Sequence, residues 1–345
     1  MIKCIIWDLD ETLWNGTLAE NEEIELKTNI INIIKELSKR GIVMSIASKN
    51  NFDQVKRQLK EFNLWEYFVF PQCSWEEKYK SIKLILDNFK LQPIHTAFID
   101  DSPFERNLVN IYYPEIKTID AKDYQSLLTQ KCFMTNNADI ELNRLQTYKQ
   151  IEKRINDERN WQGTMEEFLY RCNITLNISL ANNKDINRIE ELSIRANQFN
   201  SSLKRYNSKG LKKIIEKDFY SISIVELEDI YGSYGVVGFI IIKKSIETAE
   251  YFIESLVLSC KIQGRGIGMA FLAEILNQIF RCGAQKVFIR VPKKDNNSRP
   301  INILLRLAGF RRHSDELLVI ENNKLLEAAK WIKIKNKEGE KYEIN

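Results

Sequence analysis

Ile2-Lys3-Cys4-Ile5-Ile6-Trp7-Asp8-Leu9-Asp10-Glu11-Thr12-Leu13-Trp14 is an apolar run that stops on two carboxylates. A short apolar run of this kind reads as a buried strand. It delivers its last residues to the C-terminal end of an open α/β sheet, which is where ligands bind. Asp8 then ends the strand, and Asp10 sits in the following loop, turned back towards the same crevice. Two anions held that close repel each other. A cation between them relieves the repulsion, and Mg²⁺, which prefers oxygen ligands, is the simplest choice.

Working outward, three further junctions repeat the design. Ile30, Ile31, Ile33, Ile34 and Leu37 recur at helical spacing up to Gly41, a suitable C-cap. Ile42 to Ala47 then reads as a strand ending on Ser48-Lys49-Asn50. A hydroxyl at such a tip can donate to a phosphoryl oxygen. Phe52 to Phe62 reads as an amphipathic helix, and Tyr67-Phe68-Val69-Phe70 as a strand leading towards Lys78 at the start of the next helix. An ammonium there can neutralise a carboxylate and a bound phosphate together; Lys80 is the second choice for this role. Thr96-Ala97-Phe98-Ile99 runs into Asp100-Asp101. Adjacent acids after a buried strand are costly unless they meet a cation. Asp100 is the expected ligand and Asp101 its support. Lys117-Thr118-Ile119 is the fifth expected strand.

Asp-x-Asp-x-Thr after a strand resembles the first motif of the haloacid dehalogenase (HAD) phosphotransferases, and Ser48, Lys78 and Asp100 match the second, third and fourth. The resemblance implies that Asp8 attacks phosphorus, that Asp10 is the general acid and base, and that Asp8, Asp100 and the Asp10 carbonyl hold Mg²⁺. Asp-Leu-Asp-Glu-Thr-Leu-Trp, Ile-Ala-Ser-Lys-Asn, Phe-Pro-Gln-Cys-Ser-Trp and Phe-Ile-Asp-Asp-Ser-Pro-Phe-Glu-Arg narrow it to the FkbH-like branch, the subfamily IIIC phosphatases. No insertion between the motifs is long enough for a large cap domain. Cys73 stands where a plain apolar residue is expected, so its thiol inherits no role.

Beyond Asp120 the strand signal fades. Leu142, Leu145, Tyr148, Ile151 and Ile155 read as one connector helix, Phe168 and Leu169 begin another, and the domain boundary is placed near Thr135-Asn136-Asn137. Ile174 to Ile178 reads as a strand and Ile186 to Ile194 as a helix. A hairpin-like pair follows, Ser221 to Leu227 and Val236 to Ile242, separated by Tyr231-Gly232-Ser233-Tyr234-Gly235. Another strand, Ala249 to Leu258, leads through Ser259-Cys260-Lys261-Ile262-Gln263-Gly264-Arg265-Gly266-Ile267-Gly268 to a helix from Met269. Strand, Gly-rich loop and helix together form an arrangement in which backbone N–H groups and the helix dipole hold an anion. Gln263-x-x-Gly266-x-Gly268 resembles the pyrophosphate loop of GNAT acyltransferases, which hold coenzyme A or an acyl-carrier phosphopantetheine arm. By that resemblance Gln263, Gly264, Arg265, Gly266 and Gly268 bind the arm. Val287 to Val291 and Gly309-Phe310 fit the same order. Asn197-Gln198-Phe199-Asn200, Arg205-Tyr206 and the loop itself also resemble the C-terminal half of the FkbH-like family. That family often has Arg where this chain has Lys261, so the charge is kept and a bidentate grip is lost.

The fold expected is therefore α/β: a HAD-type, Rossmann-like parallel sheet over residues 1–135, a helical connector over 136–171 and a GNAT-like α+β domain over 172–345. Length suits two domains. A net charge of +4 over 345 residues, with both signs interspersed, gives a nucleic-acid partner little support. No apolar run reaches membrane-spanning length, and no signal-peptide anatomy is present. Six cysteines without C-x-x-C spacing, and two histidines, indicate neither a disulfide framework nor a zinc site. Free thiols in a reducing cytoplasm fit better.

FkbH-like proteins, as the resemblance implies, take 1,3-bisphosphoglycerate, remove its phosphates and pass the glyceryl group to the phosphopantetheine thiol of an acyl carrier protein. The product feeds polyketide or tetronate biosynthesis. Cys260, at the mouth of the loop and followed by Lys261 and Arg265, is the candidate thiol for carrying the glyceryl group. The alternative is a Mg²⁺-dependent phosphatase of another metabolite fused to a GNAT N-acetyltransferase, which needs no thiol. A non-catalytic carrier-binding scaffold is a third reading.

Overall fold

The computed structural model describes residues 1–20, 23–134, 144–196, 198–245, 250–292, 300–323 and 325–336. They form two compact units, Met1–Asn156 and Asp157–Asn345. The expected boundary at Thr135-Asn136-Asn137, the connector's Leu142, and Asn197 and Ala249 lie outside the described residues.

In the first unit, β1 (Cys4–Trp7), β4 (Val43–Ser48), β5 (Gln72–Cys73), β6 (Thr96–Asp100) and β7 (Lys117–Asp120) form a sheet in the order β5-β4-β1-β6-β7. All its pairs are parallel. β1 is fully buried on both faces, as a central parallel strand covered by helices should be. Only a small hairpin, β2 (Trp14–Asn15) with β3 (Glu25–Leu26), intervenes before α1 (Ile30–Lys39). The helices α2 (Phe52–Glu61), α3 (Lys78–Phe89) and α4 (Pro103–Tyr112) complete the repeat of strand and helix.

One expected strand is replaced. Trp65–Tyr67 is a 3₁₀ turn, and Phe70 sits at φ 55°, where an extended chain cannot continue. The strand forms at Gln72–Cys73 instead, pairing with Ala47 and Ser48. The expected strand survives as a single parallel bridge between Phe68 and Met44, with the Val69 N–H donating to the Met44 carbonyl at 2.9 Å, and Phe68, Val69 and Phe70 are all in the core. Phe70 is held in this conformation by Glu152, whose Oε1 accepts its N–H. Glu152 belongs to α5 (Arg144–Arg159), and this helix is not a free connector. Tyr148 and Ile151 are buried, Arg144 donates to the Gly41 carbonyl at 3.0 Å, and Tyr148 donates to the Phe89 carbonyl at 3.2 Å. Its amphipathic face closes over the first unit.

The second unit begins with α6 (Met165–Arg171), whose start carries a capping box between Thr164 and Glu167. An eight-stranded mixed sheet follows, ordered β13-β14-β12-β11-β10-β9-β8-β15. Here β8 is Ile174–Leu180, β9 Tyr220–Asp229, β10 Gly232–Lys244, β11 Tyr251–Leu258 and β12 Lys286–Arg290. Arg311–Arg312, Leu317–Glu321 and Ile332–Asn336 supply β13, β14 and β15. The hairpin is tighter than its glycines suggested. β9 and β10 are joined by Ile230 and Tyr231 alone, and Gly232 and Gly235 lie within β10, where the register shifts. Strand glycines here mark a bulge rather than a loop. β11 and β12 pair in parallel only from Tyr251 to Ile253, while β11 runs on to Leu258. The Gly-rich loop leaves that overhanging end and enters α9 (Ile267–Arg281); α7 is Ile186–Arg195 and α8 is Ser208–Ile215. No helix among the described residues is long and apolar enough to cross a membrane.

Candidate active site

The ends of β1, β4 and β6 and the start of α3 meet at one point. Lys78 Nζ lies 2.8 Å from Asp8 Oδ1 and 2.7 Å from Asp100 Oδ2. All three side chains are buried. Asp100 Oδ1 accepts the Ser102 N–H at 2.8 Å, and Ser102 caps α4. Asp8 Oδ2 is 3.4 Å from the Thr12 hydroxyl, which in turn accepts the Asp101 N–H at 3.0 Å. Lys80, the second choice for the cation, points away and pairs with Glu77 at 2.8 Å on the surface.

Burial pushes the Asp8 carboxyl up to about 7; Lys78 opposes the shift and Asp100 adds to it. Asp100 is likewise raised, first by burial. Burial works against the Lys78 charge, but Asp8 and Asp100 outweigh it and hold the ammonium at about 12. The Cys73 thiol is pushed up to about 12 by burial and then by Asp8, so it stays protonated and inert at neutral pH.

Oxygens of Asp8, Asp100 and Asp101 all lie within 4.8 Å of one another. With all three carboxylates ionised, one ammonium leaves two negative charges uncompensated, the amount a divalent cation supplies; the raised Asp8 and Asp100 carboxyls reflect burial and the same unmet charge. An all-oxygen donor set fits Mg²⁺. Asp101, expected as a supporting residue, stands close enough to offer a ligand atom directly. Asp10 stands apart from this trio, and its carboxylate is held otherwise. Oδ1 accepts Trp14 Nε1 at 2.8 Å and the Leu18 N–H at 3.1 Å, and Oδ2 accepts Asn50 Nδ2 at 2.7 Å.

Asn50 carries a role that the sequence did not disclose. The same Nδ2 also reaches Ser48 Oγ at 3.0 Å, so one amide ties the strand-tip hydroxyl to Asp10. Its place two residues after Ser48, on the same side of the chain, is the signal that could have revealed it. Metal removal should act sharply here. Chelation is expected to abolish phosphate release, and Mg²⁺ to restore it. By calorimetry Asp100→Ala should weaken Mg²⁺ binding more than Asp101→Ala, because Asp100 is wholly buried and Asp101 exposed. Equal affinities would overturn that ranking.

In the second unit the Gly-rich loop exposes Gln263, Gly264 and Gly266 and half-buries Cys260 and Gly268. Gly264 and Gly266 take φ of 84° and 77°, and Gly266 starts α9 with no side-chain cap. A Cβ on Gly268 would meet the Leu258 side chain at 2.7 Å, so a larger residue there would force Leu258 to shift where the helix packs onto β11. An uncapped, exposed helix start suits an anion. Arg265 does not join it. Its side chain is 2% exposed and its Nη1 meets Asp229 Oδ2 at 2.7 Å. The guanidinium also lies 5.1 Å from the Tyr234 ring. Cys260 therefore has Lys261 and the helix start near it in sequence, whereas the Arg265 charge is already compensated.

Residues 14–107 match the model of haloacid dehalogenase-like hydrolases, and residues 187–310 match that of the acetyltransferase (GNAT) family. The chain joins a HAD-like hydrolase domain to a GNAT-like domain. A search of curated proteins finds no match. Among solved structures, the HAD-like part is similar to the N-terminal part of a Bacteroides fragilis protein, containing a phosphatase domain and complexed with Mg. Identity is 28% over 39% of this chain and 41% of that one, with a TM-score of 0.36. The GNAT-like part is similar to spermidine N-acetyltransferase from Vibrio cholerae in complex with CoA and spermine (15% identity, 44% and 98% of the chains, TM-score 0.36). It is also similar to the ribosomal-protein-S18-alanine N-acetyltransferase from Escherichia coli (15% identity, 45% and 97%, TM-score 0.34). The HAD-like match begins at Trp14. Asp8 and Asp10 therefore rest on the geometry and the motif.

Proposed function

We propose that the HAD-like domain is a phosphatase and that the GNAT-like domain passes an acyl group to a phosphopantetheine thiol. Together they form a bifunctional glyceryl transferase of the FkbH-like kind. The observation that carries the phosphatase half is the Asp8–Lys78–Asp100 cluster at the tips of β1 and β6. An Asp8 oxygen attacks phosphorus, and the ester oxygen leaves with a proton from Asp10. Water then opens the aspartyl phosphate, giving its proton to Asp10. Lys78 and the Ser48 hydroxyl hold the phosphoryl oxygens. A divalent cation bound at Asp8, Asp100 and Asp101 supplies charge neutralisation for the transferring group.

For the acyl half, the substrate proposed is 1,3-bisphosphoglycerate. Its acyl phosphate is already activated, so a thioester forms without ATP. Cys260 Sγ attacks the acyl carbon and inorganic phosphate leaves. The pantetheine thiol of an acyl carrier protein then takes the acyl group and restores the Cys260 thiol. The remaining phosphate is an unactivated ester, which is what an aspartate nucleophile is suited to remove.

Intact mass of the chain after incubation with the acyl phosphate and Mg²⁺, without carrier, tests this. A glyceryl or phosphoglyceryl adduct is expected in wild type and in Cys73→Ala, and not in Cys260→Ala. An adduct that survives Cys260→Ala removes the cysteine from the mechanism. Carrier loading that needs no such adduct points to direct attack by the pantetheine thiol, whereas acetyl transfer to an amine instead favours the N-acetyltransferase reading.

A further inference from the structure

Lys49 follows the strand-tip hydroxyl, and its ammonium meets Glu105 Oε1 at 2.6 Å. Lys49 leaves the tip of β4, and Glu105 stands in the first turn of α4, just after β6. These two strands lie on opposite sides of β1. Neighbouring strands are about 4.8 Å apart, so the tips are separated by about 10 Å and the bridge crosses the end of β1, where Asp8 stands. The pair thus links the strand tips on either side of Asp8.

The link has a fixed end and a mobile one. Glu105 is buried, and its Oε2 has no hydrogen-bond partner. The Lys49 side chain is 39% exposed. An ammonium has three donors, and Glu105 accepts one. Because the pair is formally neutral, it offers a ligand a donor rather than a net positive charge. A second ionised group beside the phosphate would gain little from it and would be repelled by Asp101 and the phosphate itself. An uncharged acceptor oxygen pays no such penalty.

We propose that Lys49 is a specificity-determining residue that donates to an uncharged acyl oxygen of the substrate. The substrate class is then a small phosphate monoester whose acyl group is still esterified, not the free acid. The proposal rests on the phosphatase reading and puts phosphate removal after acyl transfer, while the acyl group is still held on its thiol.

Phosphate release from methyl 3-phosphoglycerate, 3-phosphoglycerate and glycerol 3-phosphate, measured on the full chain with Mg²⁺, tests this. Wild type should favour the methyl ester over glycerol 3-phosphate by about tenfold in kcat/KM, the effect of one charge-assisted hydrogen bond. It should also favour the ester over the free acid. Lys49→Met should bring the first ratio close to one, Lys49→Arg should keep part of it, and Glu105→Gln should lower it by freeing the fixed end. Unchanged melting curves would show that the folds are intact. An equal fall for all three esters in Lys49→Met would overturn the proposal. So would a wild-type preference for the free acid that Lys49→Met erases. Equal release from all three by wild type overturns the specificity alone, whereas release from none overturns the phosphatase reading as well.

Discussion

Asp8→Asn is expected to lower phosphate release by on the order of 10³-fold or more, a barrier increase of about 4 kcal/mol. The substitution keeps the side chain's shape and can still accept from Lys78, so the fold should survive. What disappears is the attacking oxygen, since an amide is a poor nucleophile. Lys78, which meets both Asp8 and Asp100, would keep one anionic partner. Substrate binding should therefore fall much less than turnover, and the loss should appear in kcat. Release at the wild-type rate in Asp8→Asn would refute covalent catalysis by this residue, whatever the metal requirement.

Asp229→Ala should have the largest effect on stability, costing about 3–5 kcal/mol and visible as a lower urea midpoint for the GNAT-like domain. The cost comes from the partner left behind. Arg265 is 2% exposed, and among the described residues its Nε and Nη2 have no hydrogen-bond partner and Asp229 is its one salt-bridge partner. Replacing both residues by apolar ones should cost less than removing either alone, as a buried pair taken out whole often does. This separates two views of Arg265. A residue that gripped the phosphates of a pantetheine arm would, when replaced, weaken ligand binding and leave the melting curve in place. A residue that ties the loop to β9 does the reverse.

The parts legible in the sequence share a property: each sits where an apolar run ends. Asp8, Ser48 and Asp100 close three strands, and Lys78 opens a helix, so position along the chain was enough to bring them together. What stayed hidden depends on partners far away in the chain. Glu105 is 56 residues from Lys49, Asp229 is 36 from Arg265, and Glu152 is 82 from Phe70. Local pattern says nothing about such pairs. It read Tyr67 to Phe70 as a strand because aromatic residues favour strands, and it left the Arg265 charge free to serve the arm-binding loop because arginine is seldom fully buried. In both cases a long-range contact overrode a sound local preference. The Asp10 network was half visible, since Trp14 and Asn50 lie in the quoted motifs, but nothing in the spacing shows that one amide serves two acceptors.

β1 has a hydrogen-bonded neighbour on each side, and no residue of it is exposed. A strand in that position cannot fray, and the Asp8 N–H, bonded to the Ile99 carbonyl at 2.9 Å, opens only when the whole unit does. Its amide protons should thus be among the slowest in the chain to trade with solvent deuterium. The carboxylate proposed to attack phosphorus is anchored in the most rigid part of its unit. Breathing motions that admit a substrate and let phosphate out must then fall to the turns at Leu9–Leu13 and Ser74–Glu77, which can move while Asp8 stays still.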